Sequence, residues 1–387
     1  MLMFSDLSLN MYQHYWWAIM SLVAGILVFL LFVQGGQTLI YFVGKNEEER
    51  TLLVNSLGRK WEFTFTTLVV FGGGLFASFP LFYATSFGGA YWLWMSILFC
   101  FIVQAIAYQY RSKPDNFLGK RTYDAFLFIN GALGTFLLGV AVSTFFTGSK
   151  FTIDFKNIMN ENGGAISRWA SLGHGMEALL NINNLILGAA LFFLARILGL
   201  LYFINNIRED VIMKRAKYHL WFNAVPFLIL FLIYLIKLFF AEGYAYLDDT
   251  KLIYLEEFKY FKNLLEMPLI GLFLVVGIIL VLSGIIVSLF SKKTKGIWIT
   301  GAGTILTIFA LFLDAGFNNT AYYPSTYDYQ SSLTIENSSS SLYTLTTMSY
   351  VSILVPFVIA YIAYTWRAIN KKPLDSKALD EKEEHLY

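Results

Sequence analysis

The sequence holds one cysteine, four histidines and few charges for its 387 residues. A lone cysteine, Cys100, excludes a disulfide framework and a cysteine-ligated metal site within one chain. Charged residues make up 14%, against about 25% in soluble domains, so water is not the main solvent of this chain. A net charge of +2 gives no basic excess for a nucleic acid to meet. His14, His174, His219 and His385 stand at the edges of apolar runs, in connectors or in the tail. Buried haem is normally held by an axial side chain, most often histidine. The absence of a histidine inside any apolar run argues that the chain does not hold haem by itself, and no metal site is expected. Residues 1–15 lack the basic start of a cleaved signal peptide, so the first apolar run is expected to remain as a span.

What is abundant is apolar: 57% hydrophobic residues, with 18% aromatics available for interfacial belts. A bilayer core needs about 20 apolar residues in a helix. Nine runs meet that length: 16–42, 61–83, 91–110, 124–146, 179–204, 221–240, 268–290, 297–317 and 345–366. They are too continuously apolar for alternating barrel strands. The expected fold is an all-α integral membrane protein with nine transmembrane helices, arranged as two four-helix bundles plus one C-terminal helix. The expected division is 1–146 for the first bundle, 147–317 for the second, 318–344 for an outer loop, 345–367 for the ninth helix and 368–387 for a tail.

Connector charge gives the orientation. Lys45, Arg50, Arg59 and Lys60, then Arg111, Lys113, Lys120 and Arg121, then Arg208, Lys214, Arg215 and Lys217, then Lys292, Lys293 and Lys295, and finally the tail all fall on one side. The positive-inside rule puts that side in the cytoplasm and the N-terminus outside. A weak repeat supports two bundles. Tyr41-Phe42 ends the first span before a charged connector and Trp61; Tyr202-Phe203 ends the fifth before a charged connector and Trp221. Gly72-Gly73-Gly74 with Ala77, Gly131 with Gly134, and Gly301 with Gly303 read as close helix contacts. The segment 318–344, rich in Ser, Thr and Tyr, reads as a polar loop, with the triplets at Asn318 and Asn337 as chance matches to a glycosylation pattern.

Ionisable groups at membrane depth are costly and therefore informative. Glu62 follows Trp61 at the inner end of the second span, with Thr64, Thr66 and Thr67 above it. It reads either as a proton entrance, with burial raising its pKa, or as an interfacial carboxylate paired with Arg59 or Lys60. Lys237 and Asp314, near the outer ends of spans six and eight, can pair, or Lys237 can snorkel to the interface. Arg196 lies deeper and needs a partner the sequence does not name.

Two segments carry a family resemblance. In 55–113 these are Asn55-Ser56, Trp61-Glu62, Gly72 to Ala77, Pro80 and Tyr110-Arg111-Ser112-Lys113. In 324–348 they are Ser332-Leu333-Thr334-Ile335, Asn337 to Ser341, Thr344-Leu345 and Met348. Together they resemble subunit II of the cytochrome bd quinol oxidases; the middle, 151–295, matches only in hydropathy. The resemblance implies a heterodimer in the bacterial cytoplasmic membrane. Subunit I would carry haems b and d and the quinol site. This chain would be haem-free, would touch lipid, can hold a structural quinone, can meet small accessory subunits, and would help deliver cytoplasmic protons. Glu62 matches the family's Trp-Asp carboxylate, with Trp61 as its neighbouring support. Gln34, Gln37 and Gln109 stand where the family has Asp, and Gln104 where it can have Arg; an amide cannot exchange a proton as a carboxylate does. The rival reading is a secondary transporter built from two repeats, against which stand sparse mid-span charge and no clear Gly/Pro break at mid-depth.

Overall fold

The computed structural model describes residues 7–113, 115–157 and 166–369. Long apolar helices dominate it. They are α1 (Leu9–Gln37), α4 (Tyr91–Tyr110), α5 (Lys120–Thr147), α6 (Ile182–Asn206), α7 (Asp210–Phe239), α9 (Pro268–Phe290) and α10 (Gly296–Gly316). Between them lie α2 (Glu47–Gly58), α3 (Trp61–Ser78) and α8 (Lys259–Glu266), and after them α11 (Leu342–Ser352) and α12 (Val355–Ile369). Seven helices among the described residues are long and apolar enough to cross a membrane. The pair α11 and α12, bent by 41°, makes an eighth if it is one span. Pro356 explains that bend, since it has no N–H to donate and pushes the preceding residue out of the helical region.

The expected second span is not among those seven. It exists as α3, but stops at Ser78, and Phe79 turns the chain out of the helix before a short helix from Pro80 to Tyr83. Glu62 and three threonines also dilute its hydropathy. The two connectors of the repeat differ as well. In the first half Asn46 caps a separate helix, its side chain accepting from the Glu49 N–H, and the chain then turns at Arg59-Lys60. In the second half the connector runs directly into the 30-residue α7.

Small residues let the two halves meet closely. Gly35 and Gly36 of α1 lie against Ala195 and Gly199 of α6, and a Cβ at Gly35 would collide with the Ala195 carbonyl. Only glycine permits that approach, which is the usual solution where no hydrophobic force acts between helices in lipid. Helix α6 also packs on α5, α1 on α10, and α9 on α10. One buried apolar cluster runs from Val28 through Phe101 and Leu198 to Ile297, joining both halves.

At the end opposite the basic connectors, 318–344 is more than a polar loop. Tyr322 and Tyr323 are fully buried. The Tyr322 ring lies 4.2 Å from Trp17, and its hydroxyl bonds Ser338 at 2.7 Å. Thr334 and Asn337 form a reciprocal capping box, and Asn318 and Asn319 sit in the left-handed region. Both asparagine triplets therefore have local structural uses. Two small antiparallel strand pairs lie at this end too: β1 (Phe151–Ile153) with β2 (Ser167–Trp169), and β3 (Glu242–Tyr246) with β4 (Ile253–Glu257).

Candidate functional site at the basic end of the helices

The end of α1, α3, α4 and α5 that carries the basic connectors is built around a buried ion pair. Arg111 caps α4 and meets Asp124 of α5, Nε to Oδ1 at 2.6 Å, with both side chains about 1% exposed. Tyr41 donates to the same carboxylate at 3.0 Å, and Glu47 of α2 lies 3.4 Å from the guanidinium. A charge-assisted contact of this kind holds its partners in one geometry, so α2, α4 and α5 converge here. The signal for it was in plain view in the sequence: an aspartate opening an apolar run.

One turn deeper sits a cluster of amides. Gln34 and Gln37 of α1 each donate through Nε2 to Gln104 Oε1 of α4, at 2.7 and 2.6 Å, and Gln37 also donates to the Tyr108 hydroxyl at 3.1 Å. All four residues are buried. Beside them Asn130 opens a turn of π-helix, Asn130–Gly134, within α5, and Gly131 packs against the Gln34 carbonyl. A π-turn leaves backbone and side chain off the regular ladder and recurs at functional sites. Gln109 is exposed and takes no part.

Trp61 joins this cluster and Glu62 does not. The Trp61 ring stacks on Tyr108 at 5.7 Å with a 16° interplanar angle. Glu62, the next residue, is exposed on the other face of α3, in line with Thr66, Val69, Val70, Gly73 and Phe76. No ion pair ties it to Arg59 or Lys60 among the described residues. Lys60 instead turns inward, fully buried, with its ammonium 4.3 Å above the Trp366 ring. The threonines do not form a ladder above Glu62. Thr64 donates to the Leu30 carbonyl and Thr67 to the Phe63 carbonyl, leaving Thr66 alone on the Glu62 face. Residues two or five apart on a helix point in different directions, whereas those four apart share a face.

The remaining candidates separate. Arg196 finds its partner in Asn223 of α7, Nε to Oδ1 at 2.6 Å, with the Phe42 and Phe192 rings about its guanidinium. Lys237 and Asp314 do not pair. Lys237 is exposed on the last turn of α7, whereas Asp314 is fully buried with neither carboxylate oxygen in a hydrogen bond. The Asn263 side chain next to it donates to the Asp314 backbone carbonyl at 3.0 Å and to Thr320 at 2.9 Å. Of the described histidines, His14 bonds the Asn10 carbonyl and His174 the Gly89 carbonyl, while His219 lies against the Phe42 ring. No group of three or more His, Cys, Asp or Glu is placed to hold a metal ion among the described residues. Sequence reasoning missed Asp124, Tyr108 and Asn130; a polar side chain at membrane depth, as at Asn130, was the available signal.

The comparisons agree on one family. The model for cytochrome bd terminal oxidase subunit II matches residues 12–369. The cytochrome bd ubiquinol oxidase subunit 2 of Bacillus subtilis strain 168 is 27% identical, over 86% of this chain and 89% of that one. The cytochrome bd-I ubiquinol oxidase subunit 2 of Escherichia coli K12 is 24% identical, over 92% and 94%. A chain of the bd oxidase structure from Geobacillus thermodenitrificans shares the fold, with a TM-score of 0.64 at 12% identity, over 93% of this chain and 98% of that one. With a family match spanning nearly the whole chain and a common fold, this protein belongs to the cytochrome bd terminal oxidase subunit II family.

Proposed function

We propose that this chain is the haem-free second subunit of a membrane quinol oxidase, and that Glu62 admits cytoplasmic protons to the complex. Family membership supports the first part. Quinol oxidation and oxygen reduction to water would belong to a haem-bearing subunit I, on its haems b and d. In this reading the basic connectors face the cytoplasm, the N-terminus lies outside, and the halves 1–146 and 147–317 with the helix at 345–366 form the membrane body. Small accessory subunits and lipid would complete its surroundings. An apolar cavity of about 70 Å³ between Leu27, Leu31, Phe71, Phe145, Leu191 and Phe312 offers a place for part of a structural quinone tail.

One observation carries the proton role. Glu62 is the carboxylate on an apolar face of α3 that nothing among the described residues covers. A subunit covering that face would desolvate it and raise its affinity for a proton. Trp61, held by its stack on Tyr108, fixes the start of α3 and hence where Glu62 points. The transporter reading is not favoured, given the family.

The test is oxygen consumption by the purified complex carrying Glu62→Gln. Turnover is expected to fall while the haem spectrum of the complex is kept. Unchanged turnover removes Glu62 from proton delivery. A reduced-minus-oxidised spectrum of the isolated chain checks the other part; haem retained on it would overturn the haem-free reading.

A further inference from the structure

Arg196 carries a charge that the proposed function leaves unused. It stands well inside α6, level with Gly35 of α1, against which the Ala195–Arg196 peptide packs. Its Nε donates to Asn223 Oδ1 at 2.6 Å, and Asn223 is itself held by donating to the His219 carbonyl at 2.7 Å. The amide is neutral, so the contact orients the guanidinium without balancing it. No ion pair among the described residues includes Arg196. Its two terminal nitrogens make no hydrogen bond and are not enclosed. The side chain is partly exposed between the rings of Phe42 and Phe192, 5.1 and 5.3 Å from the guanidinium carbon. An open cation at membrane depth is costly unless an opposite charge reaches it.

The surrounding side chains mark a route for that charge. Arg215, His219 and Asn223 follow one another at every fourth residue of α7 and so share a face. That face meets the basic end of α1: Arg215 donates to the Val43 carbonyl at 3.0 Å, and the His219 ring lies 5.9 Å from the Phe42 ring. A polar stripe therefore leads from the basic end towards Arg196. Arg215 is balanced by Glu49 at 2.6 Å. Lys45, at the mouth of the stripe, is exposed and belongs to no ion pair among the described residues. Arg196 and Lys45 are the cations that act on the His219 ring, one from each side of the membrane boundary. Around them Phe42, Tyr218, Phe222 and Val225 are exposed, and the Tyr218 and Phe222 rings lie 4.9 Å apart. The groove thus joins two unbalanced cations to an apolar wall.

We infer that the groove between the basic end of α1 and helices α6 and α7 binds an anionic phospholipid, its phosphate between Arg196 and Lys45 and its acyl chains along Phe42, Tyr218 and Phe222. The guanidinium fork matches phosphate oxygens in a two-point contact, and its long stem lets the head reach towards the interface. Basic pockets between transmembrane helices suit such headgroups. Glu49, the carboxylate at this junction, is already engaged by the Lys45 N–H and by Arg215. A zwitterionic headgroup would bring its own ammonium to the same cations, and a free phosphate would leave the apolar wall bare. The site stands whether or not Glu62 carries protons and requires only that the chain lie in a bilayer.

Titration of the delipidated, intact oxidase complex with phosphatidylglycerol, read by native mass spectrometry, tests the site. The complex is expected to take up phosphatidylglycerol in preference to phosphatidylcholine. Arg196→Gln should weaken the tightest binding step about fivefold, the worth of one cation near a membrane surface. Lys45→Gln, at an exposed position where no packing is disturbed, should weaken it by a similar factor. Lys237→Gln, in the last turn of α7 at the opposite end, should leave it unchanged. A Kd for phosphatidylglycerol that neither Arg196→Gln nor Lys45→Gln alters overturns the inference, as does equal affinity for phosphatidylcholine. Displacement of the lipid by inorganic phosphate at the same concentration would make the groove a free-anion site and overturn it too. Loss of a protein subunit from the Arg196→Gln complex, with lipid binding kept, would give the groove to a protein partner instead.

Discussion

Asp124→Asn tests the buried ion pair at the basic end. The substitution keeps shape but removes the charge that faces Arg111, whose side chain is about 1% exposed and whose Nη1 already lacks a hydrogen bond. Breaking one side of a buried pair costs about 3–5 kcal/mol, because the other charge stays buried without compensation. Glu47 remains 3.4 Å from the guanidinium but is half exposed, so it offsets part of the loss. The Asn side chain also keeps one acceptor for Arg111 or Tyr41. The expected cost is therefore near the lower bound, about 3 kcal/mol, or on the order of a hundredfold in the folding equilibrium. Denaturant unfolding of the purified complex in detergent, followed by tryptophan fluorescence, measures it. Replacing both partners, Arg111→Met with Asp124→Leu, should do much less damage than Asp124→Asn alone. A single substitution within about 0.5 kcal/mol of the parent, the range of an ordinary surface change, would refute the reasoning. So would a double variant as unstable as the single one.

Three further expectations follow from other contacts. Gly35→Leu should prevent α1 from seating against Ala195 of α6, and is expected to abolish recovery of the assembled complex by affinity purification, whereas Gly73→Ala, with nothing within 4 Å of an added Cβ, should be recovered normally. Asp314→Asn should be neutral or stabilising in the same unfolding assay, because it replaces an unpaired buried carboxyl by a neutral group of equal size; a marked loss of stability would mean that the carboxylate has a partner. Glu49 is the group for a pH test. Burial pushes its carboxyl up, but the Lys45 N–H and the Arg215 guanidinium more than offset this, and it lies below the ordinary carboxylate value. A lowered folded-state pKa gives stability that is present above the ordinary value and lost as pH falls through the lowered one. Glu49→Gln should therefore flatten the acid side of the stability profile, and an unchanged profile would count against the bridge to Arg215.

Much of this protein could be read directly from its residues. Apolar run length set the helices, because a bilayer leaves the backbone no other partners than its own. The residues around Trp61-Glu62 and Ser332-Leu333-Thr334 carried the family. The periodic reading failed where structure depends on neighbours distant in sequence. The sequence allowed Lys237 and Asp314 either to pair, since both lie near the same ends of their spans, or Lys237 to snorkel; helix rotation turns Lys237 outward and Asp314 inward. Rotation is set by packing against other helices and not by local hydropathy. The segment 318–344 read as a loop from its polarity, but Trp17 and the helix ends around it bury its tyrosines and supply its hydrogen bonds.

The sequence by itself determined that the chain lives in a membrane, which end of each helix is basic, and that no histidine lies inside an apolar run. Those properties are sums over local composition. Only the tertiary structure decided that Gln34, Gln37 and Gln104 share one buried place, that Arg196 answers to Asn223, and that Glu62 faces away from the interior formed by the described residues. Each of those depends on how helices far apart in sequence are rotated and pressed together, and the glycines at Gly35, Gly36 and Gly199 are what allow that close approach.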